Sequence, residues 1–172
     1  GAFWLIYDAK SKKYTMLDAR ETAPLQSHKN MFLDENENVI KNMSTLGPLS
    51  AGIPGIPAVL GHVNDKYGSK KLSTLLDPAY RAAINGFPVN ERYLKGANYK
   101  KKWLKKHKET EAIFLHNGEV PKKGWILKQT DLAKTIKKIM KDGHKSFYTG
   151  SFAKKIVESV QNNGGIWSEE DL

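Results

Sequence analysis

The string LGPLSAGIPGIP, residues 46–57, places three glycines and three prolines among twelve positions. Proline cannot donate to a strand ladder and disrupts a helix interior, while glycine resists ordering, so no regular element runs through this segment. The polar run DENEN at 34–38 precedes it, and the tract from Leu25 to Gly55 therefore reads as one continuous loop. Loops of that length are uncommon in compact domains and often carry function. Regular elements must lie on either side of it.

The flanks supply candidates. FWLIYD and KYTMLDA are rich in aromatic and branched residues and are joined by AKSKK, which predicts a β-hairpin over about 3–19, with Pro24 ending the second strand. After the loop, Pro57 suits the first turn of a helix that closes on Gly68. Leu72, Leu75, Leu76, Ala79 and Ala83 recur at helical spacing, with Pro78 predicting a kink or a break into two helices. The lysine-rich segment 95–108 reads as helical, EAIFLHNGEV as a strand entering an Asn-Gly turn, and GWILKQ as an extended continuation. Thr130 is placed to cap a helix bearing Leu132, Ala133, Ile136, Ile139 and Met140 on one face. A last helix carries Phe152, Ile156, Val157 and Val160, and Ser168 with Asp171 matches a capping box. The fold class expected is α+β, mostly helical with a short hairpin, in a single partial domain over 1–172. GAFWLIYD begins a strand almost at residue 1 and SEEDL stops where a helix should start, so both ends look cut.

The residue inventory closes several routes. There is no cysteine, which excludes disulfides, a thiol nucleophile and thiolate metal sites. His28, His62, His107, His116 and His144 are scattered without a metal-ligand spacing, so no metal is expected. No phosphate-binding glycine loop or nucleophile elbow occurs, and no apolar run is long enough for a membrane span. The net charge of +10 is concentrated in KGANYKKKWLKKHK, which with Tyr99 and Trp103 could contact nucleic acid or an acidic surface. A solvated helix face with Trp103 and Leu104 beneath the lysine stems is the plainer account, because no nucleic-acid fold signature accompanies the run.

Arg20, in LDARETAP, sits where the hairpin gives way to the proline turn. Taken alone it is a surface or ion-pair residue more often than a ligand. Its guanidinium is nevertheless a planar fork suited to a carboxylate, and a rigid hairpin end would hold it still.

In order along the chain, GAFWLIYD, LDARETAP, MFLDENEN, LSAGIPGIPAVLGHVNDKYG, LLDPAYRAAINGFPVNE, the stretch from AIFLHNGEV to IMKDG, FYTGSFAKKIVESVQNNGG and EEDL together resemble the γ-glutamyltranspeptidase family, in the large-subunit part of the precursor. The resemblance implies an N-terminal-nucleophile hydrolase with an αββα sandwich, made as a precursor that cuts itself into two subunits. It implies cleavage of the γ-glutamyl amide of glutathione by the small subunit's N-terminal threonine, and transfer of the glutamyl group to water or an amino acid or peptide acceptor, without a cofactor. It assigns Arg20 to the α-carboxylate of the γ-glutamyl group. None of the eight threonines here lies at a chain start, so no catalytic residue is expected in this chain, and the segment alone should be inactive. The expected partners are the small subunit and γ-glutamyl compounds, not nucleic acid, and the expected location is periplasmic or secreted. A basic binding module and a catalytically inactive relative are the competing readings.

Overall fold

A computed structural model describes residues 1–172, an α+β chain of six helices and two small antiparallel sheets. It divides into two compact units, residues 1–72 with 142–172, and residues 73–141. No helix is long and apolar enough to cross a membrane.

In the first unit β1 (Phe3–Asp8) and β2 (Lys13–Asp18) form the expected hairpin, with Phe3 opposite Asp18 and Tyr7 opposite Tyr14. Its turn is closed by the Asp8 carboxylate, which accepts from Lys10 N at 3.0 Å and Ser11 Oγ at 2.7 Å. The ladder stops at Asp18, earlier than Pro24, and the chain continues into a single bridge between Thr22 and Ile53.

The long loop is irregular as expected and is held by short local devices. Asp34 accepts from Asn36 N and Asn38 N at 2.9 and 2.8 Å, which folds DENEN into a tight tip. Ile53 then enters the core with Val157 and Trp167, and Trp167 Nε1 donates to Ala51 O at 3.0 Å.

Helix α1 (Ile56–Tyr67) begins at the Gly-Ile-Pro step and stops at Gly68, whose N–H donates to Asn64 O at 2.9 Å. Its flat Gly61 receives the His144 ring, because a Cβ there would lie 2.0 Å from Nδ1. Gly61→Ala should therefore destabilise this unit by about 1–3 kcal/mol, the usual cost of overpacking; an unchanged urea midpoint would show that His144 moves aside freely.

The second unit contains nearly all of α2 (Leu72–Asn85), then β3 (Phe87–Pro88), α3 (Glu91–Leu104), α4 (Lys108–Phe114), β4 (Ile126–Leu127) and most of α5 (Thr130–Asp142). Three expectations change here. Of the kink or break expected at Pro78, the break does not occur: α2 runs through it although the Thr74 carbonyl loses its donor, and the Asp77–Arg81 ion pair at 2.7 Å spans the position. EAIFL is not a strand, since most of it lies in α4, where Glu109 and Glu111 in the first turn suit the helix dipole. The Asn-Gly turn does form, with Asn117 and Gly118 both at positive φ between bridged His116 and Glu119. Thr130 is the first helical residue and not the cap, because Gln129 O already accepts from Ala133 N at 2.9 Å. Asn90 caps α3, its Oδ1 accepting from Tyr93 N at 3.0 Å. Leu132 of the expected apolar face of α5 remains exposed, whereas Ala133 and Ile139 are buried.

Helix α6 (Gly150–Asn162) returns to the first unit and buries Ala153 and Val157. Beyond it Ser168 and Asp171 make the expected box, with Asp171 Oδ2 accepting from Ser168 N at 2.7 Å and Oγ at 3.0 Å. Asp171 Oδ1 also accepts from Leu25 N at 2.6 Å, tying the start of the loop to this turn. Burial pushes the Asp171 carboxyl up, but these hydrogen bonds outweigh it and hold it below its ordinary value. The resulting stabilisation is complete above about pH 4, the unfolded value, and is lost as pH falls through the lower folded value. Asp171→Asn should cost about 1 kcal/mol at neutral pH, after allowing for solvent, and its difference from the parent should shrink as pH falls below the unfolded value. Chemical denaturation across that range checks it; parallel curves would contradict the tie.

The core is thin. The chain exposes 12182 Å², whereas two separate compact units of these lengths expose about 10,000 Å². One hairpin face contributes Leu5, Tyr14 and Met16, which are 72%, 71% and 59% exposed. The isolated chain should therefore self-associate, because two-stranded hairpins with an uncovered apolar face are unstable in water. A single monomeric boundary in sedimentation over a concentration series would contradict this.

Candidate functional site at the hairpin end

Arg20 leaves the hairpin directly after buried Ala19, its N–H donating to Asp18 Oδ1 at 2.9 Å. The backbone here is wedged by the glycine-rich loop. A Cβ on Gly55 would lie 2.6 Å from Ala19 O and 2.9 Å from Arg20 O, and one on Gly52 would lie 2.8 Å from Glu21 Cγ. Gly55 has φ −94°, an ordinary value, so close approach and not backbone freedom requires glycine there. The Ile53 N–H donates to Thr22 O at 2.8 Å and completes the splint.

The loop is itself braced at the start of α1. Tyr148 Oη donates to Pro54 O at 2.6 Å and accepts from Ala58 N at 3.1 Å, so one hydroxyl satisfies both a loop carbonyl and a first-turn amide.

The Arg20 side chain stays about half exposed at 55%, and its Cζ lies 5.9 Å from the centre of the Phe3 ring. Glu21 grips one edge: Nη2 donates to Oε1 at 2.6 Å, and Nε lies 3.2 Å from both carboxylate oxygens. The hydrogen bond from Arg20 holds the Glu21 carboxyl well below the usual carboxylate range, and the same contact raises Arg20. A guanidinium has five N–H groups, so the edge formed by Nη1 and the second hydrogen of Nη2 remains for another planar acceptor.

Beside Arg20 lies a concavity of about 330 Å³ lined by Leu17, Ala19, Gly55, Ala58, Val59 and His62, among others. The sequence singled out Arg20 but not this setting. Glu21, Gly52, Gly55 and Tyr148 were missed as its supports, although the GIPG spacing inside a long loop hints at a close backbone approach. Of the five histidines only His62 lines this concavity; His144 packs on Gly61 and His116 lies 5.9 Å from the Trp125 ring.

Comparison with known proteins follows the same residues. The sequence model of the gamma-glutamyltranspeptidase family matches residues 1–172. All of the chain aligns with the glutathione hydrolase proenzymes of Bacillus subtilis and Escherichia coli at 37% identity each, covering 29% and 30% of those proteins. The crystal structure of Helicobacter pylori gamma-glutamyltranspeptidase superposes with a TM-score of 0.95 at 38% identity over 99% of this chain and 49% of that one. The chain thus spans about a third of the curated relatives it matches, and a full-length match to the family's sequence model joins a close match in backbone: the chain belongs to the gamma-glutamyltranspeptidase family.

Proposed function

We propose that this chain is part of the large subunit of a γ-glutamyltransferase that hydrolyses glutathione, and that Arg20 holds the α-carboxylate of the γ-glutamyl group. The observation that carries the reading is the free edge of a guanidinium fixed at a splinted corner, beside a concavity of about 330 Å³. Glu21 orients the fork, and the incoming carboxylate meets it end-on. Fixing that carboxylate orients the γ-carbonyl several bonds away for attack by a nucleophile from the remainder of the protein. In this reading the remainder is a second subunit cut from the same precursor, which forms the αββα sandwich by covering the exposed hairpin face. The assembled enzyme works in the periplasm or outside the cell, and the isolated chain neither hydrolyses nor transfers.

The test is to express the complete natural reading frame and measure intact masses alongside release of p-nitroaniline from a γ-glutamyl anilide. Two co-purifying pieces, the smaller beginning at threonine, with turnover are the expected result. A single uncut, inactive chain would overturn the reading in favour of a relative kept for other contacts.

A further inference from the structure

The charge of the chain is not shared between its units. Residues 73–141 hold 16 of the 28 Lys and Arg residues against six acidic ones and carry the whole +10, while the other unit balances 12 against 12. Within the basic unit the excess is ordered by α3. Arg92, Lys95, Tyr99 and Lys102 recur at three- and four-residue steps and share one helix face over about 15 Å.

All four are exposed, and Tyr99 is 81% exposed. Glu119 pairs with Lys101 and Glu91 with Lys123, and no ion pair engages Arg92, Lys95 or Lys102. On the adjacent side, the Lys106 ammonium lies 4.3 Å from the centre of the half-buried Trp103 ring, and Lys100 lies 5.2 Å from that of Tyr99.

We propose that this face of α3, together with Lys106 just past the end of the helix, docks the protein on an anionic lipid surface. Three features favour lipid over nucleic acid. The cations are mainly lysine, which acts as a point charge toward a diffuse negative field, whereas arginine forks dominate fixed phosphate recognition. The stripe carries one exposed tyrosine, an amphipathic side chain that settles at headgroup depth, and not the series of aromatic platforms on which successive bases stack. Clusters of four to eight basic residues are the usual means of reading acidic headgroups.

The experiment is co-sedimentation of the complete protein with vesicles of phosphatidylcholine alone, or with added phosphatidylglycerol, at low and high salt. Binding is expected only to the anionic vesicles and should weaken as salt rises. Neutralising Lys95, Lys102 and Lys106 together as Lys→Gln should reduce it about 100-fold, at roughly fivefold per lysine. The matching Lys→Arg triple should keep it, which separates charge from misfolding. Tyr99→Ser should cause a smaller loss that salt does not alter. Equal binding to both vesicle types, an unaffected Lys→Gln triple, or tighter binding to duplex DNA than to anionic vesicles at the same salt would each overturn the proposal.

Discussion

Arg20→Ala in the complete protein is expected to lower kcat/KM for a γ-glutamyl anilide roughly 30- to 1000-fold, the range for removing one partner of a charge pair that substrate binding takes out of water. The loss should exceed that of a surface charge because Arg20 is not free to wander: Glu21, the Asp18 contact to its amide and the two loop glycines fix its origin. Arg20→Lys should be nearly as harmful, since an ammonium on a flexible stem cannot reproduce a planar fork. Glu21→Gln should leave the fork present but poorly aimed, giving an intermediate loss. Wild-type kcat/KM in Arg20→Ala would remove Arg20 from the site and return it to the role of an exposed ion pair.

Gly55→Ala is expected to rank next, although residue 55 need not touch substrate. Its new methyl would meet Ala19 O and Arg20 O at 2.6 and 2.9 Å. Both are backbone atoms and cannot rotate away like the tip of a side chain. Overpacking of this kind costs about 1–3 kcal/mol in stability. The displaced Arg20 should cost more: misplacing a positioning group by about 1 Å can reduce turnover about 100-fold. Gly96→Ala in α3 provides the contrast, since nothing lies within 4 Å of a Cβ there and φ is not positive. That change should be neutral or stabilise by up to about 1 kcal/mol, with activity intact. If both alanine variants behaved alike, the splint would have no functional weight.

The hairpin, the end of α1 at Gly68 and the inward face of α6 were legible because local rules fix them: alternation, a stop residue and helical spacing. Arg20 was legible as a candidate because its motif is local too. The errors arose where local preference is weak and neighbours decide. EAIFL has the apolar content of a short strand but pairs with nothing, and as a helix it places Phe114 O to accept the Tyr93 hydroxyl at 2.5 Å. The pairing of Phe87 and Pro88 with Leu127 and Ile126 joins residues about forty positions apart, and no pattern in a two-residue strand announces its partner.

By itself, then, the sequence determined which residues could form hairpin, loop and helix, since those properties belong to short stretches, and its family resemblance put Arg20 forward as the carboxylate clamp. Only the tertiary structure decided that Gly52 and Gly55 lie against Arg20 and Glu21, that Tyr148 bridges Pro54 to Ala58, and that Asp171 ties down Leu25. These contacts link positions from about 30 to about 150 residues apart, and they exist because a loop without its own ladder must satisfy its backbone groups on whatever the folded chain brings beside it.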